Sequence, residues 1–305
     1  MKKTLPNGVY IQPYMDKFPG NSRQAKLANV SREITKWSDA GVTGIAWHGF
    51  AGAGYGPWQM LGVDLFKELT ALAKAQGMLS LAAYGLGSTK AQAKGEFIGK
   101  VGALPECDGI LFDMEGAWEN EPSDKPDAKK MGDAYRALAP DQWTCDQPWF
   151  APAVHWSKFP WEETAAFVDE RCPQVYCNNF IKQWGKDAYE KTWAWYMKDW
   201  VKLDKRLEAK NLVRPRRPTI QGYQWNNMAD LVNCLTANPS VFVWSEPFPD
   251  TMFLHGLEIR KKLLDLGFSG ADAVKKFQAN WNATGGRPLT VDNQCGPNTI
   301  SALNL

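Results

Sequence analysis

Short apolar runs recur along the chain, separated by polar stretches long enough to hold a helix. They are Val9–Gln12, Gly44–Trp47, Leu79–Tyr84, Gly109–Asp113, Trp143–Asp146, Gln174–Asn178, Thr219–Tyr223 and Val241–Trp244. Each has strand length and strand composition, and their spacing averages roughly 33 residues, the size of one βα unit. Ala25–Trp37 and Leu65–Ala75 carry apolar residues at i, i+3 and i+4, with Gly41 and Gly77 beyond them as helix stops. Ala128–Leu138, Glu162–Val168 and Trp184–Leu207 are also helix-like. Eight strands alternating with helices over residues 1–252 predict an α/β fold, a (β/α)8 TIM-like barrel. An open doubly wound sheet is the alternative, but no glycine-rich dinucleotide fingerprint accompanies it. Beyond Asp250 the pattern turns wholly helical: Ile259–Phe268, Asp272–Trp281 with Val274, Phe277 and Trp281 on one face, and Ile300–Leu303. Residues 253–305 therefore read as a small C-terminal α-helical module, with the helix near 252–266 able to serve both parts.

The fourth run ends in Asp113 and Glu115, spaced i, i+2. On a strand these side chains share one face, and ionised carboxylates at the end of a buried strand require a partner, a metal or a task. Active sites of such barrels lie at the C-terminal ends of the strands. The polar and aromatic residues there are Gln12, Tyr14, Trp47, His48 and Tyr84 on the first three strands. Asp113, Glu115, Asp146 and Gln147 follow on the fourth and fifth, and Tyr176, Asn178 and Asn179 on the sixth. Gln221, Tyr223, Gln224 and Trp225 end the seventh strand, and Trp244 and Glu246 the eighth. Acids and amides bond sugar hydroxyls and aromatic rings stack on sugar faces, whereas a phosphate site wants basic groups or a Gly-rich helix start. The mouth therefore suits carbohydrate. His48 reads as a satisfied polar residue of the rim rather than half of a Cys–His pair.

Composition narrows the alternatives. A net charge of +2 gives no electrostatic case for nucleic acid. No run reaches transmembrane length, so no membrane association is expected. The basic start at Met1-Lys2-Lys3 is followed by no apolar signal segment, so the chain is expected to be held in the cytoplasm. The six cysteines form no Cys-x-x-Cys pair and only three histidines are present, so no metal and no cofactor is expected. The 15 Trp stand out, and most are expected in the core.

Asp108-Gly-x-x-x-Asp113-x-Glu115 resembles the fourth-strand signature of glycoside hydrolase family 18, the chitinase-like barrels. Val175-Tyr176-Cys-Asn178 resembles that family's sixth-strand tyrosine motif, and Val241–Trp244 its eighth-strand tryptophan. Leu111 stands where the family carries its middle acid, and Leu79–Gly85 lacks the usual Ser-x-Gly-Gly. Family-25 muramidases also carry Asp-x-Glu on the fourth strand, but with a first-strand acid where this chain has Gln12. The tail resembles the peptidoglycan-binding domain 1 family through Leu263-Leu-Asp-Leu-Gly267-Phe268, Val274-Lys-Lys-Phe277-Gln278, Asp292 to Thr299 and Ala302-Leu303. Asn293 replaces the family's turn glycine and tolerates a left-handed backbone better than most residues.

Together these resemblances imply an endolysin-like hydrolase of the GlcNAc–MurNAc backbone. It would act on bacterial peptidoglycan as a monomer and wait in a phage host's cytoplasm for holin-dependent release. Glu115 is implied as general acid. Asp113 would raise its pKa and orient a 2-acetamido group, Tyr176 would bond that group's carbonyl, and Trp244 would floor the subsite. Trp47, Tyr84, Asp146, Gln147, Asn178, Gln221, Tyr223 and Glu246 complete the expected substrate contacts. In an ordinary two-carboxylate mechanism, Asp146 or Glu246 would be the second acid. The competing readings are a non-catalytic carbohydrate-binding barrel, a cell-wall amidase or peptidase, and a phage structural protein anchored to murein.

Overall fold

The eight apolar runs assemble into one parallel sheet because each βα unit returns the chain to the same edge direction. The strands are β1 (Val9–Pro13), β2 (Gly44–Phe50), β3 (Leu79–Gly85), β4 (Gly109–Asp113), β5 (Thr144–Asp146), β6 (Glu170–Arg171), β7 (Thr219–Gln221) and β8 (Val241–Ser245). The computed structural model describes all residues except 1–2, 53–54, 57, 116, 121–124, 155–156 and 286–287. Strand order is β6-β5-β4-β3-β2-β1-β8-β7, every pair parallel. Backbone bonds between 171–175 and 215–219, including Val175 N to Thr219 O at 2.7 Å, join the two ends of this series. The result is the expected closed barrel.

Helices cover its outside: α1 (Arg23–Asp39), α2 (Val63–Ala75), α3 (Ala91–Gly102), α4 (Ala117–Asn120), α5 (Lys125–Leu138), α6 (Trp161–Ala165), α7 (Ile181–Trp184), α8 (Ala188–Glu208) and α9 (Met228–Ala237). The stops expected at Gly41 and Gly77 hold left-handed backbones, φ +86° and +69°. The sixth strand lies earlier than its apolar run predicts. Pro173 has no N–H to continue a ladder, so regular pairing ends at Arg171. Gln174 keeps only single bridges, and Cys177–Phe180 winds into a 3-10 turn.

Alternate strand residues divide between two apolar layers. Tyr10, Ala46, Leu81, Ala83, Leu111, Trp143, Cys145, Cys172 and Phe242 fill the barrel interior. Ile11, Ile45, Trp47, Ala82, Tyr84, Ile110, Phe112, Ile220 and Val243 face the helices. All six cysteines are buried and free. Among the described residues no helix is long and apolar enough to cross a membrane.

The tail comprises α10 (Thr251–Asp265), α11 (Ala273–Ala283) and α12 (Pro297–Ala302). Asp250 caps α10 by accepting a bond from Phe253 N. Phe253 and Leu257 of α10 pack into the barrel's outer layer, while its Ile259 and Leu263 join Val274, Phe277, Cys295 and Leu303. The boundary expected at 252/253 thus falls in the first turn of a helix shared by both parts. Asn293 adopts φ 63°. Buried Gln278 accepts from the N–H groups of Asp292 and Asn293, tying that turn to α11.

Candidate active site

β4 carries its chemistry on the inward pleat. Gly109 begins that pleat because a Cβ there would lie 2.6 Å from the Trp143 ring, which fills the barrel floor. Asp108 serves the opposite end of the barrel, accepting from Lys74 and from Ser80 N. Leu111, the residue in place of the expected middle acid, lies in the apolar interior layer. A carboxylate there would meet apolar neighbours and be costly. Two residues on, the interior turns polar.

Asp113 is buried at the end of β4. His48 Nε2 lies 3.0 Å from its Oδ2, and Gln174 Nε2 donates to its Oδ1 at 2.9 Å. Gln174 also donates to Gln147 O, and Gln147 exchanges two amide bonds with Gln12 across the barrel and donates to Thr219 Oγ1. This amide layer closes the interior beneath the mouth. Gln147 and Gln221 belong to it as supports: Gln221 accepts from Cys177 N and holds the turn that follows Tyr176.

Above the layer opens a cavity of about 430 Å³ lined by Tyr14, His48, Phe50, Tyr55, Asp113, Glu115, Trp244 and Glu246, with the backbone of Gly85–Gly87. Its described lining contains three carboxylates and no lysine or arginine. Glu115 is open to solvent on the cavity side. Even so, the surrounding protein first and the charge of Asp113 second push its carboxyl up to about 8, opposed by bonding from Gln174. Burial pushes the Tyr176 phenol well above its ordinary range, and the nearby charges of Asp113 and Glu115 add to this, so its hydroxyl stays a donor. Tyr223 is raised by burial and then by Glu246. Trp244 meets His48 edge to face at 4.8 Å and Tyr14 at 5.4 Å. Phe50 and Tyr55 stack at 4.3 Å.

Trp244 and Glu246 are expected contacts that line this cavity, whereas Tyr176, Tyr223, Trp47, Tyr84, Asp146 and Asn178 are not in its lining. Trp47 is fully buried between sheet and helices, with Nε1 bonded to Ser80 Oγ at 3.0 Å. Tyr84 is likewise buried in that layer and donates to Leu61 O. Asp146 is in register with Phe112, not Asp113, so it faces outward. There it pairs with Arg171, itself bonded to Thr164 Oγ1 and Trp161 O. It is unavailable as a second catalytic acid. Asn178 sits half-buried in the 3-10 turn, its Oδ1 buried with no hydrogen-bond partner among the described residues. His48, Gln174, Phe50 and Tyr55 also belong to the site, although the sequence reading does not place them among its catalytic and contact residues. The inward parity shared with Asp113 would have flagged His48 and Phe50. Gln174 was hidden by the misplaced sixth strand, and Tyr55 lies in a loop with no periodic signal.

No protein-family model matches the chain, and no curated protein matches it. Solved structures do resemble it. The glycoside hydrolase domain of PgaB (BpsB) from Bordetella bronchiseptica superposes with a TM-score of 0.51 at 10% identity, covering 86% of this chain and 99% of that one. A glycoside hydrolase family 5 enzyme from Prevotella bryantii gives 0.51 at 10% identity, covering 83% and 95%. An endocellulase from Pyrococcus horikoshii gives 0.51 at 10%, covering 82% and 91%. At these identities the likeness is one of fold: the chain is built as a TIM barrel of the kind these enzymes use.

Proposed function

We propose that the chain is a glycoside hydrolase that cleaves β-1,4 bonds of the peptidoglycan backbone, with Glu115 as general acid. The observation that carries this reading is the inward pair Asp113–Glu115 in an aromatic cavity, with the Glu115 carboxyl raised. A protonated carboxyl at working pH can deliver its proton to a leaving glycosidic oxygen. Tyr14 and Trp244 line the cavity, and aromatic rings there suit the apolar face of a sugar. Barrels similar in fold include enzymes named as glycoside hydrolases, which agrees with the reaction class. The peptidoglycan substrate rests on the resemblance of the tail.

For the chemistry at the anomeric carbon, a substrate-assisted route is favoured. Tyr176, whose phenol is raised by burial and then by the charges of Asp113 and Glu115, would bond the acetamido carbonyl, while Asp113 would orient its N–H. Glu246, across the same cavity, is the second carboxylate in an ordinary mechanism; Asp146 has no part in either. The endolysin role, with cytoplasmic storage, holin-dependent release and action as a monomer, completes the proposal. Digesting purified peptidoglycan, reducing the products and reading them by mass spectrometry tests it. New reduced GlcNAc ends support the assisted mechanism, and new reduced MurNAc ends a muramidase. Absence of new sugar ends overturns the glycosidase reading in favour of a carbohydrate-binding barrel.

A further inference from the structure

Among the described residues His48 is the one imidazole that lines the mouth cavity. Its side chain is buried beneath the cavity, with Nε2 at 3.0 Å from Asp113 Oδ2 and Nδ1 buried with no hydrogen-bond partner among the described residues. The groups packed around it are aromatic: Trp244 at 4.8 Å, Tyr14 at 5.3 Å and Phe50 at 6.2 Å, with Gly85 of β3 beside the ring. The titratable groups that share its cavity are Asp113 and Glu115 from the β4 side, Glu246 after β8, and the phenols of Tyr14 and Tyr55.

The two ring nitrogens have distinct roles, fixed by what each meets. A carboxylate oxygen only accepts, so the proton belongs on Nε2. A second proton on Nδ1 would be a buried N–H with no acceptor, which is costly. The surroundings satisfy one donated proton on the ring, the one on Nε2. This matters for the neighbour. An imidazolium would cancel the charge of Asp113, whereas a neutral donor stabilises that charge and leaves it in place. Gln174, also neutral, donates to the other oxygen.

We propose that His48 is a positioning residue: as a neutral Nε2–H donor it fixes the Asp113 carboxylate, charged and oriented, beside Glu115. The inference rests on the glycosidase reading of the mouth and adds a residue to it. Asp113 held this way cannot turn to share the acid's proton, so Glu115 keeps it for the leaving group.

Two variants and one spectrum test this. His48→Phe keeps a flat ring among Tyr14, Phe50 and Trp244 but removes the donor. His48→Gln restores an N–H near the Nε2 position. The expected result for His48→Phe is a fall in kcat of about 10–100-fold with KM within about threefold. The alkaline limb of its kcat–pH profile should move to lower pH. His48→Gln should recover most of the rate and the wild-type limb. A folded His48→Phe with wild-type kcat and profile overturns the proposal, as does a folded His48→Gln no better than His48→Phe. The 15N spectrum of histidine-labelled wild type needs no turnover and no variant activity; the His48→Gln spectrum assigns the signal. At neutral pH, one protonated and one bare ring nitrogen supports the neutral donor, and two protonated nitrogens contradict it. If wild type cleaves no glycan, the glycosidase reading fails by itself, while the spectrum still decides the state of the His48–Asp113 pair.

Discussion

Asp113 and Asp146 end neighbouring strands, are both buried, and look equivalent in a one-dimensional reading, yet they do opposite jobs. Asp113 lies on the inward pleat, where His48 and Gln174 bond it and the cavity exposes it to a substrate. Asp146 lies one residue out of phase, in register with Phe112, and faces the helix layer, where Arg171 neutralises it. Burial raises the Asp146 carboxyl and the Arg171 charge opposes that rise. The same residue type is thus a site residue on one face of the sheet and a structural ion pair on the other. Pleat parity, not distance from the strand end, separates them.

The comparison can be broken at several points, the largest effect first. Glu115→Gln removes the proposed proton donor while leaving a similar shape at a solvent-open position. Turnover on peptidoglycan should fall about 10²–10⁴-fold with thermal unfolding unchanged, read from reducing-end release and calorimetry. Asp146→Ala should do the reverse. Leaving the Arg171 guanidinium buried without its anion should cost about 3–5 kcal/mol of stability, measured by urea unfolding, while kcat per folded molecule stays near wild type. Trp244→Ala should raise KM several-fold through loss of about 1 kcal/mol of ring contact, with a smaller effect on kcat.

The pH dependence sharpens the same contrast. An acid catalyst works protonated, so kcat should hold below the raised Glu115 pKa and fall as pH rises through it, toward pH 8. Asp113→Asn removes the like charge that helps raise it, so the limb of the residual activity should move to lower pH. Burial, the larger cause, remains, so the move is partial. Asp146→Asn should leave the limb where it is. The smallest effect belongs to Trp47→Phe: loss of the bond to Ser80 should cost about 1 kcal/mol of stability and leave kcat and KM unchanged.

The barrel was legible because it rests on repeated apolar runs and helix periodicities, and each of the eight runs maps near a strand of one closed sheet. The exception is instructive. Gln174–Asn178 reads as a strand by composition, but Pro173 denies it a ladder, and regular pairing falls on Glu170–Arg171, a charged pair with no apolar signature. In the tail, the left-handed Asn293 was legible as a turn residue, whereas the sharing of α10 between two cores was visible only as an ambiguity of boundary.

At the site, Asp113, Glu115, Trp244 and Glu246 line the mouth cavity as the sequence suggested. Trp47, Tyr84 and Asp146 failed together for one reason: each occupies the pleat that faces the helices. Period-2 alternation was available along every strand, but the phase of each strand depends on register with its neighbours. His48 was visible but undervalued, because its partner is set by the β2–β3–β4 register rather than by anything near it in the chain. Gln174 and Gln147 were amides among many until the barrel brought them into one layer with Gln12 and Thr219.

The most direct measurement is the rate of reducing-end release from purified peptidoglycan by wild type, Glu115→Gln and Asp146→Asn, each normalised to folded protein. The account predicts a loss of at least about 100-fold for Glu115→Gln and a near wild-type rate for Asp146→Asn. A Glu115→Gln enzyme with wild-type release would remove Glu115 from the mechanism, and an Asp146→Asn enzyme that folds and is inactive would place the chemistry on the other face of the sheet; either result contradicts the account.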